Sequence, residues 1–594
     1  MKQNSLWGED FSTSIKNSDK NILKKISSVE EGDIEVEKIL TSKKTSIEDK
    51  LTIIADNVNK ILGHYKDNTV VFYTKEELDN YLDKSIKEGI IAIDTETNNS
   101  LDPLTCKLMG VCLYVNNLKQ VYVPVNHIDY KTGIRLENQL TEQDIHDSFQ
   151  KLLNSDVKII MHNGKFDYQV IKCTCGVELP IYWDTLIAAR LLDENEEAGL
   201  KYQYIKHIDS NQEKYSIEHL FEKEKYEIFS PELFSLYAAT DSYMTYKLYE
   251  YQKNIFGCSE MNKVYNLFRD IEMPLVKVTA EMELNGVEID LEYAERLSEK
   301  YHKKLEQIEN QIEQEMNNLK PQIDVWKLSE DANHREKTYG ANIKDCDESK
   351  IEELKKKFPY VDDKGNFYKL SKSKVEQLDE KINISSPTQI AILLYDVLKV
   401  ESVDKKSPRA TGEDALKLIS QNTNLKICDL ILEHRECSKL LGTYIDIIPE
   451  LSKQWSDHRV RTHFNQCGTD TGRFSSSKPL NLQNIPSHNK EIRLMFKARE
   501  NYVLIGSDYS AQEPRLTAFY SQDENMINAY KEGKDLYAVI AQKMFNNRYE
   551  DNLEFYPEGT EIELDGKKII CGNKTHLNKE GKERRSNAKT MLLG

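Results

Sequence analysis

The chain has 594 residues, with 99 acidic against 81 basic side chains and a formal net charge of −18. That length is too great for one compact core and points to roughly three to five domains. The acidic balance argues against a plain nucleic-acid coat protein, which would be basic, but leaves room for an enzyme with local basic grooves. No apolar run approaches the ~20 residues that span a bilayer, and Met1–Asp10 lacks the apolar core of a signal peptide, so a cytoplasmic location is expected (host cytoplasm if viral). The ten cysteines are scattered with no C-x-x-C pair, which reads as reduced and structural.

Residues 1–65 are Lys-, Ser-, Glu- and Asp-rich and read as a flexible or small helical lead-in. Thr69–Tyr73 then reads as a strand. Lys75–Lys87 reads as a helix with Leu78, Tyr81, Leu82 and Ile86 on one face. Ile90–Thr97 is a buried strand ending in two carboxylates, Asp94 and Glu96. Alternate strand residues share a face, so both can address one cation. Strands are expected at Leu108–Val115, Gln120–Val125 and Val157–Asn163, the last running into a third carboxylate at Asp167. A helix over Leu233–Tyr249 carries Tyr237 and Asp241, one turn apart on one face.

Singly, each carboxylate is as compatible with a turn or a surface charge as with a site. Together, Asp94, Glu96, Asp167 and Asp241 are unfavourable neighbours unless divalent cations neutralise them. Oxygen-only ligands suit Mg²⁺ or Mn²⁺. Two such ions about 3.5–4 Å apart activate a water and stabilise the leaving oxygen of a phosphodiester. Tyr237 would orient the attacking water. The strings D-x-E (Asp94, Glu96), N-x-x-x-F-D (Asn163 to Asp167) and Y-x-x-x-D (Tyr237, Asp241) resemble the three motifs of the DEDDy 3′–5′ proofreading exonucleases. The resemblance implies an RNase H-like α/β domain with a mixed sheet, two Mg²⁺ (or Mn²⁺) in the active site and a single-stranded DNA 3′ end as substrate. Trp183-Asp184-Thr185 also fits this family and reads as structural.

Residues 260–450 are mostly helical. A helix ends at Gly286, and another starts at an Asp290 cap with Leu297, Tyr301, Leu305, Ile308 and Ile312 on one stripe. Residues 320–380, with a Gly365-Asn366 turn, read as an inserted, partly mobile segment. Helices are expected from Pro387 to near Val400 and over Ile427–Leu441. The loop His463–Ser476 and the amide-rich Pro479–Pro486 can donate to phosphates and minor-groove acceptors, or serve only as polar loops. T-x-T-G-R-x-S-S followed by N-L-Q-N-I-P is similar to the DNA polymerases of family A, the polymerase I family, with one extra residue before Asn481. By that resemblance Arg473, Gln483 and Asn484 contact primer–template DNA.

Val503-Leu504-Ile505 reads as a short buried strand leading to Asp508. Asp508-Tyr509-Ser510 through Glu513 and Arg515 resembles the first catalytic palm motif of the same family. Asp508 would then bind both catalytic metals, Glu513 would crowd the sugar 2′ position, and Tyr509 would shape the dNTP site. Ala511, Gln512 and Pro514 depart from the commonest pattern there. Arg585, Lys589 and Leu593 recur every four residues and form one helix stripe, suited to a triphosphate with a base beside it. In isolation it would be a basic surface helix; in this order it resembles the nucleotide-binding fingers helix, with Leu593 where the family usually has an aromatic ring.

The resemblance therefore implies an exonuclease domain over 66–255, a thumb-like helical region over 256–450 and a right-hand polymerase domain made of a partial palm (451–530) and the start of the fingers (531–594), phage-like in character. The family's second palm carboxylate, in an H-D-E string, does not occur within 1–594. The expectation is a polymerase whose remaining palm comes from a second polypeptide or a spliced C-terminal part, so that 1–594 alone does not extend a primer. Two rivals remain: a stand-alone 3′–5′ exonuclease, and a non-catalytic DNA-binding subunit.

Overall fold

The computed structural model of the protein describes residues 40–42, 44–98, 100–209, 224–346, 348–469, 471–487, 489–564 and 567–593. It divides into two compact units, Met1–Asn501 and Tyr502–Gly594.

The first unit opens with α1 (Ile47–Leu62), β1 (Thr69–Val71) and α2 (Lys75–Glu88). Thr74 and Glu77 close a capping box at the start of α2, and Gly89, at φ 74°, ends it in the left-handed conformation that glycine adopts without strain. Next come β2 (Ile90–Thr97), β3 (Leu108–Tyr114), β4 (Gln120–Pro124), α3 (Glu142–Leu153), β5 (Lys158–Met161), α4 (Gly164–Cys175), β6 (Ile181–Asp184), α5 (Thr185–Leu192), α6 (Leu200–His207) and α7 (Pro231–Phe256). The six strands form one sheet in the order β1-β4-β3-β2-β5-β6. Pairings of β3 with β2 and β4 are antiparallel, and the other three are parallel, giving the mixed sheet that the resemblance implied.

Both faces of the sheet are covered. Leu78 and Leu82 of α2, Ile145 and Phe149 of α3, and Val170 and Ile171 of α4 bury against Ile91 and Ile93 of β2 on one face. Each fully buried large apolar side chain contributes about 1.5–3 kcal/mol. On the other face Phe234 of α7 packs with Tyr122 and Cys112. The same cluster takes in Ile54, Val58 and Leu62 of α1, so a helix from the region read as a lead-in joins this core. Residues 1–39 lie outside the described residues.

Beyond α8 (Met273–Asn285), β7 (Val287–Ile289) leads to α9 (Leu291–Lys327). Asp290 caps α9 by accepting from the Tyr293 N–H at 3.0 Å. Leu297, Tyr301, Ile308 and Ile312 are buried along the expected stripe, with Leu305 packed beside them. The segment read as an insertion folds as a three-stranded antiparallel sheet of β8 (Lys337–Asn342), β9 (Tyr360–Val361) and β10 (Asn366–Leu370), in the order β8-β10-β9, with α10 (Glu348–Lys357) between β8 and β9. Then follow α11 (Glu413–Thr423), α12 (Lys426–Leu440), β11 (Arg459–Val460), β12 (Phe464–Asn465), β13 (Ser475–Ser476) and β14 (Phe496–Lys497). β7 is sandwiched between β11 and β14, and β12 pairs with β13 as a hairpin.

The second unit contains α13 (Gln512–Ser521), α14 (Glu524–Lys531), α15 (Leu536–Phe545), a hairpin of β15 (Glu561–Leu564) and β16 (Lys567–Ile570), and α16 (Lys579–Leu593). Tyr537, Ala538 and Ala541 of α15 and Ala588 of α16 are buried here. The strand expected at Val503–Ile505 is not formed: these residues are irregular and exposed, Val503 at 78% and Ile505 at 87%. An apolar run becomes a strand only where neighbours satisfy its N–H and C=O groups, and none of the described strands pairs with it.

Candidate active site

The site is built where β2 emerges under α7. Asp94 and Glu96 share the strand parity of Ala92, which faces away from Ile91 and Ile93. The register sets Asp94 opposite Cys112 and Glu96 opposite Gly110. Gly110 is required here: a Cβ would lie 2.4 Å from the Tyr122 ring. Ligand atoms of Asp94, Glu96 and Cys112 all lie within 4.8 Å of one another.

Asp167 arrives from the first turn of α4. Asn163, at φ 57°, turns the chain from β5 into this helix. Asp167 Oδ1 accepts from the Thr95 N–H at 3.0 Å and from the Thr95 hydroxyl at 2.6 Å, so the residue between the two β2 carboxylates holds the third. Asp184 fixes the loop beside it, accepting from the N–H groups of Asn163 (3.1 Å), Gly164 (2.8 Å), Leu186 (2.9 Å) and Ile187 (3.3 Å). The structural reading of Asp184 thus has a specific content: one buried carboxylate caps α5 and pins the entry to α4.

Asp241 and Tyr237 descend from α7. Tyr237 is buried and packs against Phe234, with ring centroids 5.9 Å apart. Lys201 of α6, which the motif spacing did not reveal, reaches in with its Nζ 3.4 Å from Asp241 and 4.7 Å from the centre of the Tyr237 ring. The one sequence signal for it is its place after Gly199-Leu200, at the start of a helix whose buried Tyr202, Tyr204 and Ile205 fix its rotation.

The electrostatics match crowded carboxylates. Burial first, and then the charges of Asp167, Glu96 and Asp241, push the Asp94 carboxyl well above its ordinary range, with Lys201 pulling the other way. Burial pushes Asp167 up to about 7 despite the two hydrogen bonds from Thr95, and Asp184 adds to the rise. Burial and the same carboxylates hold the Cys112 thiol neutral. A neutral thiol is a poor ligand for a hard cation, so the oxygen donors Asp94, Glu96, Asp167 and Asp241 are the set that fits Mg²⁺ or Mn²⁺. A bound dication relieves the repulsion that raises Asp94.

Arg473, Gln483 and Asn484 sit on and after the β12–β13 hairpin. The Gln483 side chain donates to the Phe474 carbonyl at 3.2 Å, and the Asn484 carbonyl accepts from Tyr444 at 2.8 Å. This region is bound to the exonuclease-like part: Lys165 Nζ donates to Glu283 at 2.6 Å and to the Phe464 carbonyl at 2.5 Å. In the second unit, Asp508 and Tyr509 lie in the exposed stretch before α13, and Glu513 occupies its first turn. Arg585 of α16 pairs with Asp535, the cap of α15, at 2.7 Å and lies over the Tyr537 ring at 5.1 Å. Lys589 is exposed one turn later, and the Leu593 side chain lies outside the described residues. Among the described residues, no group of three His, Cys, Asp or Glu gathers around Asp508 as it does around Asp94.

A mixed sheet carrying carboxylates at the end of its central strand, followed by a long-helix region and a second α-rich unit, defines an α/β protein with a carboxylate cluster suited to divalent cations. Residues 69–255 match the family model for 3′–5′ exonuclease, and residues 350–554 match that for DNA polymerase family A. The chain therefore carries a domain of the 3′–5′ exonuclease family and one of the DNA polymerase family A. It is 29% identical over 505 residues to DNA polymerase I of Borreliella burgdorferi, covering 84% of this chain and 46% of that one. It is 27% identical over 428 residues to a DNA polymerase of Bacillus phage SP01, covering 68% of this chain and 43% of that one. The chain thus spans under half the length of these relatives. The fold is also that of the solved POL domain of Pol1 from M. smegmatis, in complex with DNA primer-template and dNTP. The TM-score is 0.59 at 18% identity, over 88% of this chain and 71% of the other.

Proposed function

We infer that the Asp94 site removes nucleotides from the 3′ end of single-stranded DNA. The observation that carries this reading is the convergence of Asp94, Glu96, Asp167 and Asp241 with a buried tyrosine and one lysine. The four carboxylates would hold two divalent cations, which supply an activated water and stabilise the leaving 3′ oxygen. Tyr237, held on α7 one turn from Asp241, orients the water for in-line attack. Thr95 keeps Asp167 aimed at the cluster. Lys201 offsets part of the negative charge and fixes Asp241. The water oxygen bonds to phosphorus, the bond from phosphorus to the 3′ oxygen breaks, and the proton passes to that oxygen, releasing a nucleoside 5′-monophosphate.

The same reading assigns Arg473, Gln483 and Asn484 to primer–template DNA. It assigns Asp508, Tyr509, Glu513, Arg585, Lys589 and Leu593 to a metal-bound dNTP. Template-directed addition needs a second carboxylate beside Asp508, which a further palm segment or a second polypeptide would bring. A 5′-labelled single-stranded oligonucleotide incubated with the purified chain and Mg²⁺ tests the nuclease. Successive shortening from the 3′ end is expected, lost on chelation and in Asp94→Ala. Shortening that survives Asp94→Ala would place the hydrolysis elsewhere and refute the assignment. For the polymerase reading, primer extension should appear only when a polypeptide supplying the second carboxylate is added.

A further inference from the structure

The inserted sheet carries a feature that neither site uses. Tyr339 of β8, Tyr368 of β10 and Tyr360 of β9 are direct cross-strand partners, forming one row across all three strands. Their ring centroids are 5.8 Å apart for Tyr339–Tyr368 and 5.5 Å apart for Tyr360–Tyr368, the latter pair stacked. The opposite face of the sheet is the one that packs: Phe367 is fully buried, and the Phe358 ring lies so close to Gly340 that a Cβ there would sit 2.9 Å from it. Alternation therefore sends Phe367 inward and the tyrosines outward. The outer two remain half open to solvent, Tyr339 at 53% and Tyr360 at 47%.

A sheet that needed only solubility would place charged or small polar groups on this face. Here three rings are aligned, and one cation stands beside them while three more lie close in the chain. Lys337 Nζ lies 4.7 Å from the centre of the Tyr368 ring. Lys355, Lys356 and Lys357 form the exposed last turn of α10, three residues before Tyr360. Asp362, just beyond Tyr360, is used by its own turn, where it accepts from the Lys364 and Asn366 N–H groups. Aligned aromatic faces flanked by lysines are the chemistry that takes unpaired bases by stacking and their phosphates by charge.

We propose that the β8–β10–β9 face is a second single-stranded nucleic-acid site, on which bases stack against Tyr339 and Tyr360 while Lys337 and the α10 lysines hold the backbone. Bases held in a duplex present no open faces, so the site selects unpaired strand and needs no 3′ end. It is independent of hydrolysis at Asp94.

The test uses the full chain in EDTA and a fluorescein-labelled circular single-stranded oligothymidylate, which has no end for the exonuclease site. Fluorescence anisotropy should show the Tyr339→Ala/Tyr360→Ala variant binding the circle ~10-fold or more weakly than wild type. The Tyr339→Phe/Tyr360→Phe variant, which keeps the rings, should bind within about twofold of wild type. 3′ hydrolysis of a short linear oligonucleotide should be unchanged in both, which also shows that the fold is intact. Equal binding by the alanine variant and wild type overturns the proposal. Equal loss in the alanine and phenylalanine variants overturns it too, because stacking would not then be the interaction. Failure of Asp94→Ala to abolish hydrolysis would refute only the nuclease assignment, since that substitution should leave circle binding intact.

Discussion

Asp167→Asn separates the stability cost of the carboxylate cluster from its chemistry. Asn retains an Oδ1 that can accept both hydrogen bonds from Thr95, so the clasp survives while the charge goes. Asp167 has its carboxyl raised to about 7 in the folded protein, chiefly by burial, against an ordinary value of 3.8. A raised carboxyl means that the native state holds its proton more tightly than the unfolded chain does. Well below pH 4 both states are protonated, and the group costs nothing. As pH rises from about 4 to about 7, the unfolded chain ionises first and stability falls, the full penalty being present above 7. The rise from 3.8 to about 7 corresponds to up to about 4 kcal/mol. In EDTA at pH 8, Asp167→Asn should melt at a higher temperature than wild type, by up to ~10 °C for a domain of this size. At pH 3 the two should nearly coincide, and saturating Mn²⁺ at pH 8 should close the gap by stabilising wild type more. Thermal scans followed by circular dichroism measure all three arms. A variant that is no more stable at pH 8 in EDTA, or whose gain is the same at both pH values, would refute the cluster electrostatics derived above.

Tyr237→Phe should lower kcat for 3′ hydrolysis ~10²-fold or more with little change in KM, as expected for a group that orients the water and does not hold DNA. Lys201→Gln should destabilise the metal-free protein by ~3 kcal/mol, because it removes a cation 3.4 Å from the largely buried Asp241, and should tighten Mn²⁺ binding measured by calorimetry. Asp184→Ala should cost about 3 kcal/mol or more, because four backbone N–H groups lose their acceptor, and should lower hydrolysis by loosening Asp167; thermal melts with paired activity assays check it. Gly110→Ala should give a poorly folded protein, read by loss of the cooperative melt, since the new methyl meets the buried Tyr122 ring.

Most of the exonuclease-like sheet was legible because its strands are apolar runs whose ends are marked by charged residues, as at Ile90–Thr97. The pairing of Tyr237 with Asp241 follows from helical spacing alone. Lys201 and Thr95 were not legible: each acts across contacts set by the packing of α6 or by strand register, which local sequence does not encode. The tyrosine row has the same character, since residues 339, 360 and 368 become neighbours only when β10 is placed between β8 and β9. Val503–Ile505 shows the reverse failure. Its composition states a preference for burial in a sheet, but a strand also requires partners, and composition is silent about those.

Glu283 of α8 joins parts of the molecule that otherwise have separate tasks. Its carboxylate accepts from Lys165, two residues before Asp167, from Gln169 on the same helix, and from the Phe464 N–H at the head of the hairpin that leads to Arg473. Burial alone would push Glu283 up, but His463, Lys165 and the Phe464 N–H outweigh it and keep the group charged. The helix that presents Asp167 and the loop proposed to grip the primer are therefore cross-linked twice, through the Glu283 carboxylate and by Lys165 donating directly to the Phe464 carbonyl. In the proposed reading, a strand end that moves from the primer loop to Asp167 therefore crosses a joint braced by Lys165, Glu283 and the Phe464 N–H.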